Sequence, residues 1–146
     1  MRRFVWRLQR VLDVRIKQEQ VKRTELFRVA QELTEKRTEL LLKQETLQEA
    51  LAAIGAESSS RRIGEQEMAL RYAATNDEEI RRIKGEIGSL EVRQEEKLAE
   101  LLVVRRSREA LERLREETRQ RFMQEQEKLE QKESDERAVI AFSRNR

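Results

Sequence analysis

Carboxylates are the only abundant side chains in this sequence that could act as acids or bases in catalysis. The 146 residues include 29 Asp and Glu but no His and no Cys, which removes imidazole bases, thiol nucleophiles, disulfides and the usual zinc ligands. The segment from Gly85 to Gly88 lacks the pattern of a phosphate-binding loop. Because catalysis needs a desolvated, concave site, we expect no enzyme activity, no metal site and no bound cofactor.

A seven-residue repeat of apolar residues predicts the elements that position the other side chains. Five apolar residues stand seven apart, and the chain has no Pro to kink a helix that contains them. A strict seven-residue repeat keeps one helix face turned toward a partner helix. Disorder is the competing interpretation of a chain with 42% charged and 4% aromatic residues, but the regular apolar spacing favours a coiled coil. The repeat consists of Leu26, Leu33, Leu40, Leu47 and Ile54.

A second apolar stripe occupies the C-terminal half of the chain. Between the two stripes, the Gly- and Ser-containing segment 55–64 and a capping-box pattern at Thr75 and Glu78 predict a break in the helix. The second stripe contains Ile80, Ile83, Ile87, Leu90, Leu101, Leu111, Phe122 and Leu129.

These patterns predict an all-α fold, a long antiparallel two-helix coiled-coil hairpin that forms a single domain over residues 1–146. We expect helix 1 over about 3–54, a tip region with a short helical segment over about 55–76, helix 2 over about 77–139, and a frayed tail over 140–146. Helices of these lengths measure about 78 and 95 Å, so they match as a hairpin. An uninterrupted second helix through 60–76 is the alternative, and the stripes could also pair between two chains.

Basic residues concentrate at both ends of the sequence. Residues 1–17 carry a formal charge of +5 and residues 137–146 carry +3, whereas the other 119 residues sum to −5. An antiparallel hairpin would place the two ends side by side, which predicts one basic pole that binds an acidic protein surface. Trp6, expected to be exposed, and Phe142, beyond the last heptad, are candidate contacts for that partner.

Other classes of partner fit the sequence less well. A nucleic-acid partner is not expected, because the chain lacks a basic stripe with aromatic residues between the charges. No apolar run is long enough to predict a membrane-spanning helix. An N-terminal helix that lies on an anionic membrane is an alternative to the end of the coiled-coil seam.

Three segments resemble the FliJ family of flagellar export proteins. The N-terminal segment Phe4-Val-Trp-Arg-Leu-Gln-Arg-Val-Leu-Asp-Val-Arg15 is similar to the family's opening pattern F-x-[FW]-x-L-[QE]-x-[VL]-L-D-x-R. Arg108-Glu-Ala-Leu-Glu-Arg-Leu114 resembles its K-x-L-E-x-L segment, and Glu130-Gln-Lys-Glu-Ser-Asp-Glu136 resembles its E-Q-K-x-x-D-E close. The tip departs from the family's Y-L-x-x-L stretch, and Tyr72 is the only aromatic residue there.

The resemblance implies a non-enzymatic stalk in the flagellar type III export apparatus. By that analogy the protein is cytoplasmic and peripheral to the inner membrane. It inserts in the hexameric export ATPase, promotes assembly of the ring, and links it to the cytoplasmic domain of the export gate and to export chaperones. Tyr72, Leu47 and Leu51 would face the gate. The residues that would bind the ring are Arg3, Phe4, Trp6, Arg7, Arg10, Arg137 and Phe142.

Two alternative functions are compatible with the same sequence. The first is the stalk protein of a virulence type III secretion system, and the second is a structural coiled coil that forms filaments.

Overall fold

Two α-helices make up the described part of the chain. The computed structural model describes residues 2–56 and 63–145, which contain α1, Gln9–Ala56, and α2, Ile63–Arg144. Ion pairs join the two helices from Lys22 with Glu100 to Lys43 with Glu79. Residue numbers thus decrease along α2 as they increase along α1. The helices therefore run antiparallel, and the predicted all-α helical hairpin is confirmed.

Residue contacts divide the chain into two compact units, and both helices contribute to each. We call Met1–Gln20 with Leu102–Arg146 the terminal unit, and Val21–Leu101 the central unit. That residues 1–146 form a single domain stays a prediction.

The core of the central unit comes from the predicted apolar stripes. Leu33, Ile83, Ile87 and Leu90 are buried together, and Leu40 packs against them. Each fully buried side chain of this size contributes roughly 1.5–3 kcal/mol, so this cluster holds the two helices together.

Burial along α2 follows an unbroken alternation of four- and three-residue steps. Ala69 begins the series, which runs through Phe122, and every member is buried or half-buried. This is the spacing of a and d positions that face a partner helix. Leu129 was predicted to continue the series, but half of its surface is exposed. That prediction is wrong, because the described α1 helix, which begins at Gln9, supplies no partner at this level.

On α1 the described residues of the leucine column are buried or half-buried, and a companion column of hidden residues lies three residues beyond it. Leu26, Leu40 and Leu47 are half-buried. Three residues beyond Leu26, Val29 is 4% exposed, whereas Arg23 and Arg37, on the other side of the leucine column, are exposed. The hidden column therefore includes Lys22, Lys36 and Lys43, whose long aliphatic stems cover the seam while their amines reach acidic partners. Ile54, also predicted in the seam, has a side chain outside the described part.

The second helix begins at Ile63, so the uninterrupted layout is the one observed. The predicted start at 77 and the separate tip segment are wrong. Thr75 does not cap a helix, because its hydroxyl donates to the carbonyl of Arg71, one turn earlier in the same helix. With no Pro in the chain, nothing forces a break there. Residues 57–62, on which the serine caps were placed, lie outside the described residues.

The other predicted helix ends also differ from the structure. Helix α1 begins at Gln9 rather than near Arg3, after a turn in which the Gln9 amide donates to the Trp6 carbonyl at 3.2 Å. Helix α2 continues to Arg144, so the predicted frayed tail from 140 is largely helical. Arg144 in its last turn interacts favourably with the negative end of the helix dipole.

Two glycines inside α2 give a first testable prediction. Gly85 and Gly88 are exposed, neither has a positive φ, and a Cβ added at either position would meet nothing within 4 Å. We expect Gly85→Ala and Gly88→Ala each to raise the free energy of unfolding by about 0.5–1 kcal/mol, since glycine loses the most backbone entropy in a helix. Urea denaturation followed by circular dichroism measures the change. Gly64→Ala, in the first turn of α2, is the matched control with a smaller expected gain. Unchanged or lowered stability in both variants would contradict this prediction.

Candidate partner-binding surfaces

A buried carboxylate interrupts the apolar face of α1 in the terminal unit. Glu19 occupies the leucine column and is 5% exposed. Arg105 donates to it through Nε at 3.2 Å, and Arg108 donates through both Nε and Nη2. Burial raises the pKa of the Glu19 carboxyl, but the hydrogen bonds and charges of the two arginines outweigh burial and hold that pKa below its ordinary value of 4.5. Glu19, Arg105 and Arg108 form an ionic layer in the seam, and this layer fixes which residues of the two helices face each other.

A row of ion pairs, here called the ion ladder, follows one edge of the central unit. Lys22 lies 3.0 Å from Glu100, Lys36 lies 2.8 Å from Glu86, and Lys43 pairs with Glu79. Because both the lysines and the glutamates are spaced in multiples of seven residues, a slip of the two helices by less than a heptad would break every pair at once. The ladder therefore fixes the antiparallel register, although each of these partly exposed pairs contributes little alone.

The ladder predicts a loss of stability in acid. Hydrogen bonds from Lys22, Lys36 and Lys43 lower the pKa of the carboxyl that each lysine contacts. A carboxyl whose pKa is lower in the folded state contributes stability above its unfolded pKa, and that contribution is lost as the pH falls through the folded value. We therefore expect the urea midpoint to be nearly constant between about pH 6 and 8 and to fall below about pH 4.5.

A lysine variant separates the ladder from the other carboxylates in this test. Replacing Lys22, Lys36 and Lys43 together by Gln should flatten the acid-side fall, whereas Lys84→Gln, at an exposed position of α2, should not. An equally steep fall in the triple variant would show that other groups cause it.

An aromatic contact fixes the N-terminal segment in the terminal unit. The rings of Phe4 and Phe122 lie 5.5 Å apart with an interplanar angle of 50°. The Arg115 guanidinium lies 5.7 Å from the centre of the Phe4 ring and also donates to Gln9 at 2.9 Å. Aromatic and cation–π contacts of this kind contribute about 0.5–1.5 kcal/mol each. The contacts hold the non-helical residues before α1 against α2.

The structure contradicts the expected exposure of Trp6, which is only 8% exposed. The expectation assumed that the helix extended to Arg3, so that the indole would project from the side away from the seam. Because the chain is not helical before Gln9, that projection does not apply. Trp6 stabilises the terminal unit and offers little surface to a partner.

The basic residues near the N-terminus are exposed, and their binding role stays a prediction. Arg3, Arg7 and Arg10 all lie on the surface.

The last turns of α2 form a second exposed surface, which we call the α2 extension, residues 127–145. Every residue in it is exposed. Val139, Ile140 and Phe142 are 67%, 54% and 67% exposed, and Arg137 and Arg144 flank them in the sequence. Because these apolar residues are largely exposed, the segment offers apolar surface to a partner, with Asp135 and Glu136 next to Val139 and Ile140.

The two basic segments are offset along the terminal unit rather than side by side. Phe4 meets α2 at Phe122, and Arg137 follows Phe122 by 15 residues, a rise of about 22 Å along the helix. The two basic segments therefore form two separate surfaces of the terminal unit instead of the single basic pole that was expected. The offset arises because α2 contains 82 residues and α1 only 48.

The residues expected to contact an export gate belong to the central unit. Tyr72 and Leu51 are 51% and 48% exposed, and Leu47 is half-buried. Met68 and Leu70, on the same part of α2 as Tyr72, are also exposed. The sequence analysis did not single out these two residues. They are apolar residues outside the heptad pattern of the second helix, and that placement is the signal that could have identified them as exposed. The same signal would have identified Val139 and Ile140.

Among residues 2–56 and 63–145, no helix is long and apolar enough to cross a membrane.

Comparison with known proteins identifies the family. The sequence profile described as "Flagellar FliJ protein" matches residues 4–146, nearly the whole chain. Searches of curated proteins and of solved structures found no match. With its two long helices paired in the heptad pattern described above, the chain is a coiled-coil protein related to flagellar export and belongs to the FliJ family.

Proposed function

We propose that this protein is a non-enzymatic stalk of the flagellar type III export apparatus. It works in the cytoplasm, peripheral to the inner membrane, where it inserts in the hexameric export ATPase and promotes assembly of the ring. It also links the ring to the cytoplasmic domain of the export gate and to export chaperones. The family match over residues 4–146 is the observation that carries the proposal.

The terminal unit supports the ring-binding part of this proposal. Its N-terminal segment offers the exposed Arg3, Arg7 and Arg10, and its α2 extension offers Val139 and Phe142. Acidic side chains on a partner would match the N-terminal arginines, and an apolar socket would match the α2 extension. Phe4 and Trp6 act indirectly, because they hold the basic segment in place.

The exposed apolar residues around Tyr72 support the gate-binding part. Met68, Leu70 and Tyr72 are each about half exposed or more, on a helix whose seam positions here are the small residues Ala69 and Ala73. Leu51 on α1 is also about half exposed. Exposed apolar residues in such numbers mark protein contacts more often than they mark a solvated surface.

Mixing the protein with purified flagellar export ATPase at near-physiological salt tests the proposal. We expect more hexamer in the mixture than in the ATPase alone, and a higher rate of ATP hydrolysis. If the ATPase of a virulence secretion system responds equally well, the injectisome alternative is supported instead. No change in assembly or rate with either ATPase would remove the proposal's main support.

A further inference from the structure

An apolar groove runs along the edge of the central unit opposite the ion ladder. Its volume is about 460 Å³, and its walls come from both helices. Phe27 on α1 and Leu98 on α2 line it and are 61% and 45% exposed. The groove exists because Ala30, at the position where a long side chain would fill the space, ends at Cβ.

The edges of the groove carry opposite charges. Arg23 lies on the α1 wall, and Glu95 lies on the α2 wall. Farther along the same edge of the unit, Arg37 of α1 pairs with Glu91 of α2 at 3.3 Å, and both side chains are more than half exposed. The α1 edge is therefore basic and the α2 edge acidic.

A surface with this arrangement is complementary to itself. A two-fold axis parallel to the helices would place the α1 edge of one copy against the α2 edge of the other. Basic residues would then face acidic ones, and Phe27 of each copy would face Leu98 of the other, at the same level along the axis. An isologous contact of this type closes after two copies and does not grow into a filament.

We propose that a second copy of this chain occupies the groove. The two central units then form a four-helix dimer in which α1 of each copy lies antiparallel to α2 of the other. In that dimer each Arg37 guanidinium lies near the Glu91 carboxylates of both copies. Because the apolar centre is small, the association is weak, with a dissociation constant in the range of about 10–100 µM.

Sedimentation equilibrium of the full-length chain over a range of concentrations tests this proposal. We expect a monomer–dimer equilibrium. Phe27→Glu and Leu98→Glu should each weaken dimerisation about tenfold or more, since each puts a charge in the apolar centre. Val92→Glu, on the exposed opposite face of α2, should leave dimerisation unchanged. Circular dichroism checks that all three variants keep their helix content.

Cysteine crosslinking fixes the arrangement, because the native chain has no Cys. A mixture of the Phe27→Cys and Leu98→Cys proteins should form the mixed disulfide in preference to either homodimer. Preferred Phe27→Cys homodimers, or a monomer at every concentration, would overturn the proposal. The second result would leave the groove for a helix of a different protein.

Discussion

Replacing Glu19 with alanine is expected to lower the free energy of unfolding by about 2–3 kcal/mol, the largest effect that we predict for a single substitution in this chain. The carboxylate is buried, and it accepts hydrogen bonds from both Arg105 and Arg108. Its removal leaves two guanidinium groups without their shared partner at the seam. The cost is somewhat below that of breaking a fully buried ion pair, because both arginines keep partial access to solvent.

The size of this effect is measured by urea denaturation at neutral pH. Glu45→Ala, which removes an exposed carboxylate from α1, is the matched control and should change stability by less than about 0.5 kcal/mol. A double variant, Glu19→Leu with Arg108→Leu, should recover most of the loss, since apolar residues can replace a buried ionic layer. Equal stability of Glu19→Ala and the native chain would show that the layer is not a stabilising contact.

Deleting the α2 extension from residue 127 onward is expected to abolish stimulation of the export ATPase and to weaken ring binding at least about tenfold. The extension exposes Val139, Ile140 and Phe142, and every residue in it lies at the surface. The deletion should therefore leave the melting temperature of the protein nearly unchanged. Pull-down with the purified ATPase measures binding, and the hydrolysis rate measures stimulation.

Charge reversal at the N-terminal surface distinguishes its contribution to ring binding from that of the α2 extension. Replacing Arg3, Arg7 and Arg10 by Glu should weaken ring binding most at low salt, where charge attraction is least screened, and should leave helix content intact. Replacing Arg81, Arg82 and Lys84 of the central unit by Glu is the control with the same change in charge. Unchanged ring binding after both the deletion and the N-terminal reversal would contradict the assignment of the terminal unit.

The sequence predicted the helix type and the main buried columns because both follow from the period of apolar residues. Leu33, Ile83 and Leu90 sit at heptad spacing, and a seven-residue period leaves few alternatives for which face is buried. The period did not reveal the companion column on α1. Positions three and four residues beyond each leucine are both plausible neighbours, and charged lysines occupy the column that is used.

The helix boundaries were harder to predict for a different reason. Thr75 and Asn76 are cap formers, yet a hydroxyl can bond backward within a helix at little cost, so the residues alone permit either structure. Trp6 was misplaced because its exposure depends on where α1 begins, and helix ends are commonly uncertain by several residues. The exposed surfaces were also only partly predictable from the sequence. The arginines near the N-terminus are exposed, their role in binding stays a prediction, and the exposed apolar residues of the α2 extension were only partly anticipated through Phe142.

Site-specific photocrosslinking in motile cells tests most directly whether the two units bind different partners. A photoreactive amino acid is placed at Val139 in the terminal unit, at Tyr72 in the central unit, or at Val103 as an exposed control. We expect the Val139 position to crosslink to the export ATPase, the Tyr72 position to crosslink to the export gate, and the control to capture neither. Crosslinks from Val139 to the gate and from Tyr72 to the ATPase, or crosslinks to neither partner, would contradict the proposed function.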